Sequence, residues 1–340
     1  MQTKKKVLYN AAFLLLVFFL TIYGVFHGKN LEEMMSAIRN ADLKWLIPGV
    51  FLVLFFIWGE SIIIWYMMRS FQVHLQKRIC FLFSSVGFFF SCITPSATGG
   101  QPMQIYFMKK EKIPIPFATV ILMIITITYK LVLVVIGLGI PLFASGFLNR
   151  YLVPILPVFY LGLLLNVFCV GFMTLLVFHP VLAEKIIVKS MDFLEKLHII
   201  KHKETRRAKF LSSMQIYRET AEYLKNHKRV LFNVILITFV QRIALFAVTY
   251  AVYLAFGIRG TNMWDVIFLQ AAISISVDML PLPGGMGISE SLFLKIFVPV
   301  FGAVTLPAMV ISRGLSYYSQ LLISALFTAA AQIYYSIKER

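Results

Sequence analysis

"DMLPLPGGMGISESLF" (residues 278–293) sets three glycines, two prolines and two acids between apolar runs. Proline removes a backbone donor and glycine admits turns that other residues resist, so this stretch breaks any helix that reaches it. Inside hydrocarbon such a break is tolerated only where it is buried in protein or lines a polar cavity. Whether its flanks lie in a membrane therefore decides the fold.

Composition answers that question. Hydrophobic residues make up 59% of the chain and charged residues 14%. A soluble domain holds about 45–50% and 25% respectively. With a mean hydropathy of +0.82, the composition is that of an integral membrane protein. Apolar runs of about 20 residues cross a hydrocarbon core of about 30 Å. The segments that meet this length are 7–26, 45–68, 117–143, 151–178, 230–256 and 314–335. The first is read as a retained helix, because no small-x-small cleavage pattern precedes the charged "HGKNLEEMM" that follows it.

Basic residues set the orientation, since cytoplasmic loops carry the Lys/Arg excess. Lys4, Lys5 and Lys6 precede the first span, and Arg69, Lys77 and Arg78 follow the second, which places both ends in the cytoplasm. Segment 79–108 begins apolar, breaks at "TPSATGGQP" and reaches Lys109, Lys110 and Lys112. A single crossing would put that cluster outside, whereas a re-entrant pair keeps it inside. Further on, 230–256 runs outward, the loop around Arg259 is external and the terminal "KER" belongs inside. A second re-entrant hairpin over 264–300, broken at "PLPGG", restores the parity.

The expected fold is thus an all-α polytopic membrane protein with six full transmembrane helices and two re-entrant helical hairpins in an inverted-repeat-like arrangement. Residues 1–340 form one membrane domain with both termini cytoplasmic. Broken hairpins that enter from opposite faces and meet at their tips are the pattern of an inverted-repeat transporter. The competing reading is that proline and glycine merely kink packed helices.

Charges in the apolar stretches are the second signal. Glu60, Lys130, Arg242, Asp278, Glu290, Lys295 and Arg313 fall within or beside them. Each costs about 2.5–3.5 kcal/mol at the centre of a membrane helix, so a partner or a polar cavity is expected. Arg242 and Arg313 can hold a phosphate through forked donors, and Lys130 can act as a point charge. Asp278 and Glu290 either receive a cationic headgroup or pair with the arginines. Lys295 is expected to snorkel to an interface.

The connection 179–229 is basic, with 12 Lys and Arg against five acids from Lys185 to Arg229. Ile186, Ile187, Phe193, Leu194, Leu197 and Ile200 recur at helical spacing among its lysines, as in an amphipathic helix lying on a membrane. Anionic headgroups are one partner for it; a positive-inside loop without a ligand is the other reading. The net charge of +17 does not point to nucleic acid, because it sits largely at expected membrane edges.

Ordinary catalytic patterns are missing. Cys80, Cys92 and Cys169 are isolated, and His198 with His202 lack further ligands, so no metal is expected. "GGMGISES" has no βαβ setting, no GxxxxGK[ST] occurs, and "GISES" is not a nucleophile elbow. No cofactor is expected.

"TPSATGGQPMQIYFMKK" (94–110) and "LPLPGGMGISESLF" (280–293), together with "ISRGLSYYSQLL" (311–322), resemble the membrane region of the lysylphosphatidylglycerol synthase and flippase (MprF-type) family. The resemblance covers nearly the whole chain. It implies movement of aminoacylated phospholipid, chiefly lysyl-phosphatidylglycerol, between leaflets of a bacterial-type cell membrane, which resists cationic antimicrobial peptides. Full-length members add a soluble aminoacyl transferase domain; this sequence, ending at Arg340, is read as lacking it, so intrinsic catalysis is not expected. By position, the resemblance points to Pro95, Thr98, Gly99, Gly100, Gln101 and Pro102 in the first motif. In the second it points to Pro281, Pro283, Gly284, Gly285, Gly287 and Glu290, with Arg313 beyond.

The sequence therefore leads to a lipid translocase whose headgroup site comprises Arg242, Asp278, Glu290, Arg313 and Lys130 between the hairpin tips. Its partners are membrane phospholipids, a separate lipid-modifying enzyme or a second copy in a homo-oligomer. The alternatives are the membrane component of a phosphatidylglycerol lysyltransferase with a separate catalytic partner, and a non-transporting lipid-binding scaffold.

Overall fold

The computed structural model of the protein describes residues 31–196 and 204–338, which are all-helical without a strand. Five runs among them are long and apolar enough to cross a membrane: Leu43–Ser70, Ile115–Phe143, Ser145–Phe178, Lys228–Ala255 and Val298–Lys338. Each overlaps an expected span, and the expected 7–26 span lies outside the described residues. The last run starts at Val298 rather than 314, so Arg313 sits inside it, followed by a π-helical stretch at Gly314–Tyr318. Hydropathy ends the span at the charge. The helix continues because that charge is paired.

In chain order the helices are α1 (Leu31–Arg39), α2 (Leu43–Ser70), α3 (Lys77–Ile93), α4 (Gly100–Lys110), α5 (Ile115–Phe143) and α6 (Leu156–Phe178). There follow α7 (Pro180–Lys196), α8 (Glu204–Asn226), α9 (Lys228–Ala255), α10 (Met263–Val277), α11 (Ile288–Ile296), α12 (Thr305–Arg313) and α13 (Ser319–Lys338). Long helix, broken pair, long helix is an order that occurs at α2 to α5 and returns from α9 onward.

Large apolar side chains remain exposed along these runs, Phe143 at 89% and Leu326 at 72% among them. Lipid is the environment that makes such exposure favourable. Between the helices small residues allow close approach. A Cβ on Gly59 would stand 2.8 Å from Gln241 Cγ, and one on Gly49 meets Val248 and Ala251, so α2 and α9 lie antiparallel in close contact. The first broken pair is as tight. Gln104 Nε2 donates to the Phe83 carbonyl at 3.2 Å, and a Cβ on Gly87 would overlap the Gln104 amide. A Cβ on Gly100 would overlap Ser91, so α4 runs back along α3.

Two apolar cores result. Ile63, Phe83, Val120 and Leu224 belong to one, and Leu133, Leu163, Phe246 and Phe293 to the other. Helix α5 serves both: Phe117 to Ile127 pack in the first and Val132 to Ile140 in the second. Thr128, Tyr129 and Lys130 lie on α5 between these stretches.

The basic connection holds helices α7 and α8, with residues 197–203 and the side chains of Ile187, Phe193 and Leu194 outside what the structure describes. The second helix is bound to the transmembrane bundle. Met214, Tyr217, Ala221 and Leu224 are buried at helical spacing, Tyr217 OH donates to the Leu176 carbonyl at 3.1 Å, and Tyr223 OH donates to Ser70 O at 2.7 Å. That stripe is already spent on packing and cannot also lie in a bilayer. Leu224, fully buried, should cost about 2–5 kcal/mol when replaced by alanine. Exposed Lys225→Ala should stay within about 0.5 kcal/mol. Denaturant unfolding in detergent measures both.

Candidate functional site

The two Pro/Gly motifs form breaks that touch. In the first, Pro95 opens a short 3-10 turn, and Ser96 and Ala97 take left-handed backbone at φ 49° and 56°. Such angles are uncommon outside glycine, so the surroundings must hold them. Thr94 Oγ1 receives the Gly99 N–H at 2.9 Å and itself donates to Phe90 O at 2.6 Å. Thr98 Oγ1 turns back on Pro95 O at 2.9 Å, while the Gln101 amide donates to Leu122 O at 3.4 Å and to Thr126 Oγ1 on α5. Pro102 is exposed in the first turn of α4, where its missing N–H leaves nothing unsatisfied.

The second break uses glycine where the first uses serine and alanine. Gly284, Gly285 and Gly287 have φ of 55°, 66° and 84°. A Cβ on Gly284 would also overlap the Tyr317 ring, so the position needs glycine for space as well as for conformation. Pro281 is exposed and Pro283 buried at the start of the turn.

Ion pairs stand at the edges of this break. Glu290 accepts the Gly287 N–H at 2.7 Å on Oε2, which ties the start of α11, and receives Arg313 Nε at 2.7 Å on Oε1. Arg313 also donates from Nη2 to the Gly284 carbonyl at 3.0 Å, and its guanidinium lies 4.7 Å from the centre of the Tyr317 ring. On the other side, Lys130 Nζ donates to Asp278 Oδ2 at 2.6 Å and contacts Met279 Sδ at 2.9 Å. The side chains of Lys130 and Asp278 keep 14% and 24% of their exposure, and those of Arg313 and Glu290 keep 14% and 6%.

Hydrogen bonds join one break to the other. Ser96 Oγ donates to the Leu280 carbonyl at 3.2 Å, and Tyr317 OH donates to the Cys92 carbonyl at 2.9 Å. Cys92, Met286 and Tyr317 pack together beneath these bonds. Each partner supplies what the broken helix end lacks.

With this geometry in view, the chain matches the family described as the lysylphosphatidylglycerol synthase TM region over residues 7–324. The chain belongs to that family. A multi-pass membrane location follows from the family and from the apolar helices. No curated relative matches it.

Of the residues singled out in the sequence, Asp278 and Lys130 meet each other, as do Glu290 and Arg313. Arg242 belongs to a different cluster: its guanidinium lies over the Tyr129 ring at 4.6 Å and the Phe56 ring at 6.0 Å. Lys295 is exposed. Sequence reasoning overlooked Ser96, Met279 and Tyr317. Tyr317 carried a usable signal, since it lies four residues after Arg313 and so shares its helix face.

Replacing Arg313 by alanine leaves Glu290 buried without its cation, which should cost about 3–5 kcal/mol. Adding Glu290→Gln should recover part of that loss, because the unpaired charge is then gone. Unfolding of the single and double variants in detergent, followed by tryptophan fluorescence, tests the pairing.

Proposed function

We propose that this protein moves a phospholipid between leaflets, with the headgroup passing between the two breaks while the acyl chains stay in lipid. The observation that carries this reading is the contact of the two Pro/Gly breaks, flanked by largely buried ion pairs. Broken helices within a membrane region are a usual way to place polar backbone and charge around a translocated group. Both broken pairs are proposed to re-enter the side they leave, from opposite faces, with the termini in the cytoplasm of a bacterial-type cell membrane.

The chemistry of the pairs suits a headgroup that carries phosphate and amine together. Arg313 is fixed by Glu290, Gly284 and the Tyr317 ring, and among the described residues its Nη1 has no partner. That nitrogen is a donor for a phosphate oxygen. Asp278 and Glu290 offer carboxylate oxygens to an amine, in competition with Lys130 and Arg313. An aminoacylated phosphatidylglycerol supplies both groups, in keeping with the family's name, and its exposure would lower surface negative charge against cationic peptides. Arg242 lies over the Tyr129 and Phe56 rings, outside this phosphate clamp.

The family's description as a synthase region favours a second reading, in which this chain is the membrane component of a phosphatidylglycerol lysyltransferase with a separate catalytic partner. Purified protein in vesicles separates the two. Labelled lysyl-phosphatidylglycerol should exchange between leaflets faster than phosphatidylglycerol without any added enzyme. Arg313→Lys, which keeps the charge and loses the planar fork, should slow exchange by about 10–100-fold, the worth of a hydrogen bond to a charged group. No exchange alone, with lysyl-lipid synthesis only on addition of a transferase partner, would select the second reading.

A further inference from the structure

A second polar cluster lies in the membrane region apart from both ion pairs, and the translocase reading does not use it. Glu60 on α2 is 5% exposed. Its Oε1 receives the Gln104 amide at 2.6 Å and its Oε2 the Tyr129 hydroxyl at 2.9 Å. Behind Tyr129, the Gln241 amide donates to the phenol oxygen at 2.6 Å and to the Phe56 carbonyl at 2.5 Å. Through Tyr129, Gln241 is linked to the carboxylate, and both amides also hold backbone carbonyls, of Phe56 and Phe83. Glycines make the room for it, since a Cβ at Gly59 would press on Gln241 and one at Gly87 on Gln104.

The charge balance of the cluster is unusual. Both donors to Glu60 are neutral, although an ionised carboxylate buried in apolar surroundings needs a cation or several donors. Arg242 is the cation at hand, yet it lies over the Tyr129 ring and its Nε is buried without a hydrogen bond. Gln241 Oε1 is likewise buried and unpaired. From the elements packed around Glu60, the titratable and charged groups are Tyr129 of α5 and Arg242 of α9. Helix α4 brings Gln104, and α3 only the Phe83 carbonyl. The bonds seen are those an ionised carboxylate accepts; a proton taken up by Glu60 turns one of its oxygens into a donor, so the bond from Tyr129 or Gln104 must then turn or break.

The cluster is also tied to both breaks. Gln104 lies on α4, the limb that leaves the first break. Tyr129 is followed in α5 by Lys130, which holds Asp278 at the start of the second. A change at Glu60 therefore has a direct structural route to each.

From these observations we infer that Glu60 is a proton-binding site whose protonation and deprotonation, answered by Arg242, drive the movement of the two breaks and couple lipid transfer to a proton gradient. The ligand is a proton taken from water onto a Glu60 carboxylate oxygen on one side of the membrane and returned to water on the other. No covalent chemistry on the lipid is involved. The coupling rests on the translocase reading; the proton site does not.

The experiment has two parts on the same purified protein. Infrared difference spectra across a pH titration should show the stretch of a neutral carboxylic acid that Glu60→Gln removes. In vesicles with the voltage clamped to zero, a gradient of one pH unit should hold labelled lysyl-phosphatidylglycerol at up to about tenfold asymmetry between leaflets, for one proton per lipid. Glu60→Gln should still exchange the lipid but leave it symmetric. Identical carboxyl titrations in the wild type and in Glu60→Gln would overturn the proton site. A band lost in the variant with symmetric lipid in the wild type would overturn the coupling alone. No lipid exchange by either protein would sink the translocase reading while the spectra still decide the site. If Glu60→Gln does not fold, Tyr129→Phe serves: it removes one donor and keeps the ring beneath Arg242, so the carboxyl band must shift in frequency, and an unmoved band would overturn the assignment.

Discussion

The constraint on which this structure depends is that two broken backbones must satisfy the polar groups that each break leaves without a helical partner. Each break answers it with the other. Ser96 reaches the Leu280 carbonyl, Tyr317 reaches the Cys92 carbonyl, and Arg313 covers the Gly284 carbonyl while it pairs with Glu290. The Ser96 and Tyr317 bonds cross from one break to the other between residues far apart in the chain, whereas Arg313 serves the second break alone. The left-handed Ser96 makes one of these contacts, to the Leu280 carbonyl.

Charge in the membrane region follows the same logic of mutual satisfaction. Lys130 and Asp278, and Arg313 and Glu290, are pairs in which each member lowers the cost of burying the other. Because the pairs hold the edges of the second break, each also supports the turn beside it.

Helix α5 is where these features meet. It contributes to both apolar cores, and between them it carries Tyr129, which bonds Glu60, and Lys130, which bonds Asp278. The antiparallel contact of α2 with α9 sets Glu60 and Arg242 at the same level of the bundle.

The sequence by itself determined the membrane class, the stretches 45–68, 117–143, 151–178, 230–256 and 314–335 that the long apolar helices overlap, and the position of both breaks. These are local properties: hydrophobic length, and the effect of proline and glycine on their own residues. It also marked Lys130, Asp278, Glu290 and Arg313 as residues in need of partners, because a charge in an apolar run is costly wherever the chain goes. Only the tertiary structure decided who pairs with whom, that Arg242 joins Glu60 and Tyr129 instead of Arg313, and that the apolar stripe of α8 packs on the bundle. Partner choice depends on which helices lie side by side. That is settled by close approaches such as Gly59 against Gln241 and Gly87 against Gln104, which leave no periodic signature along the chain.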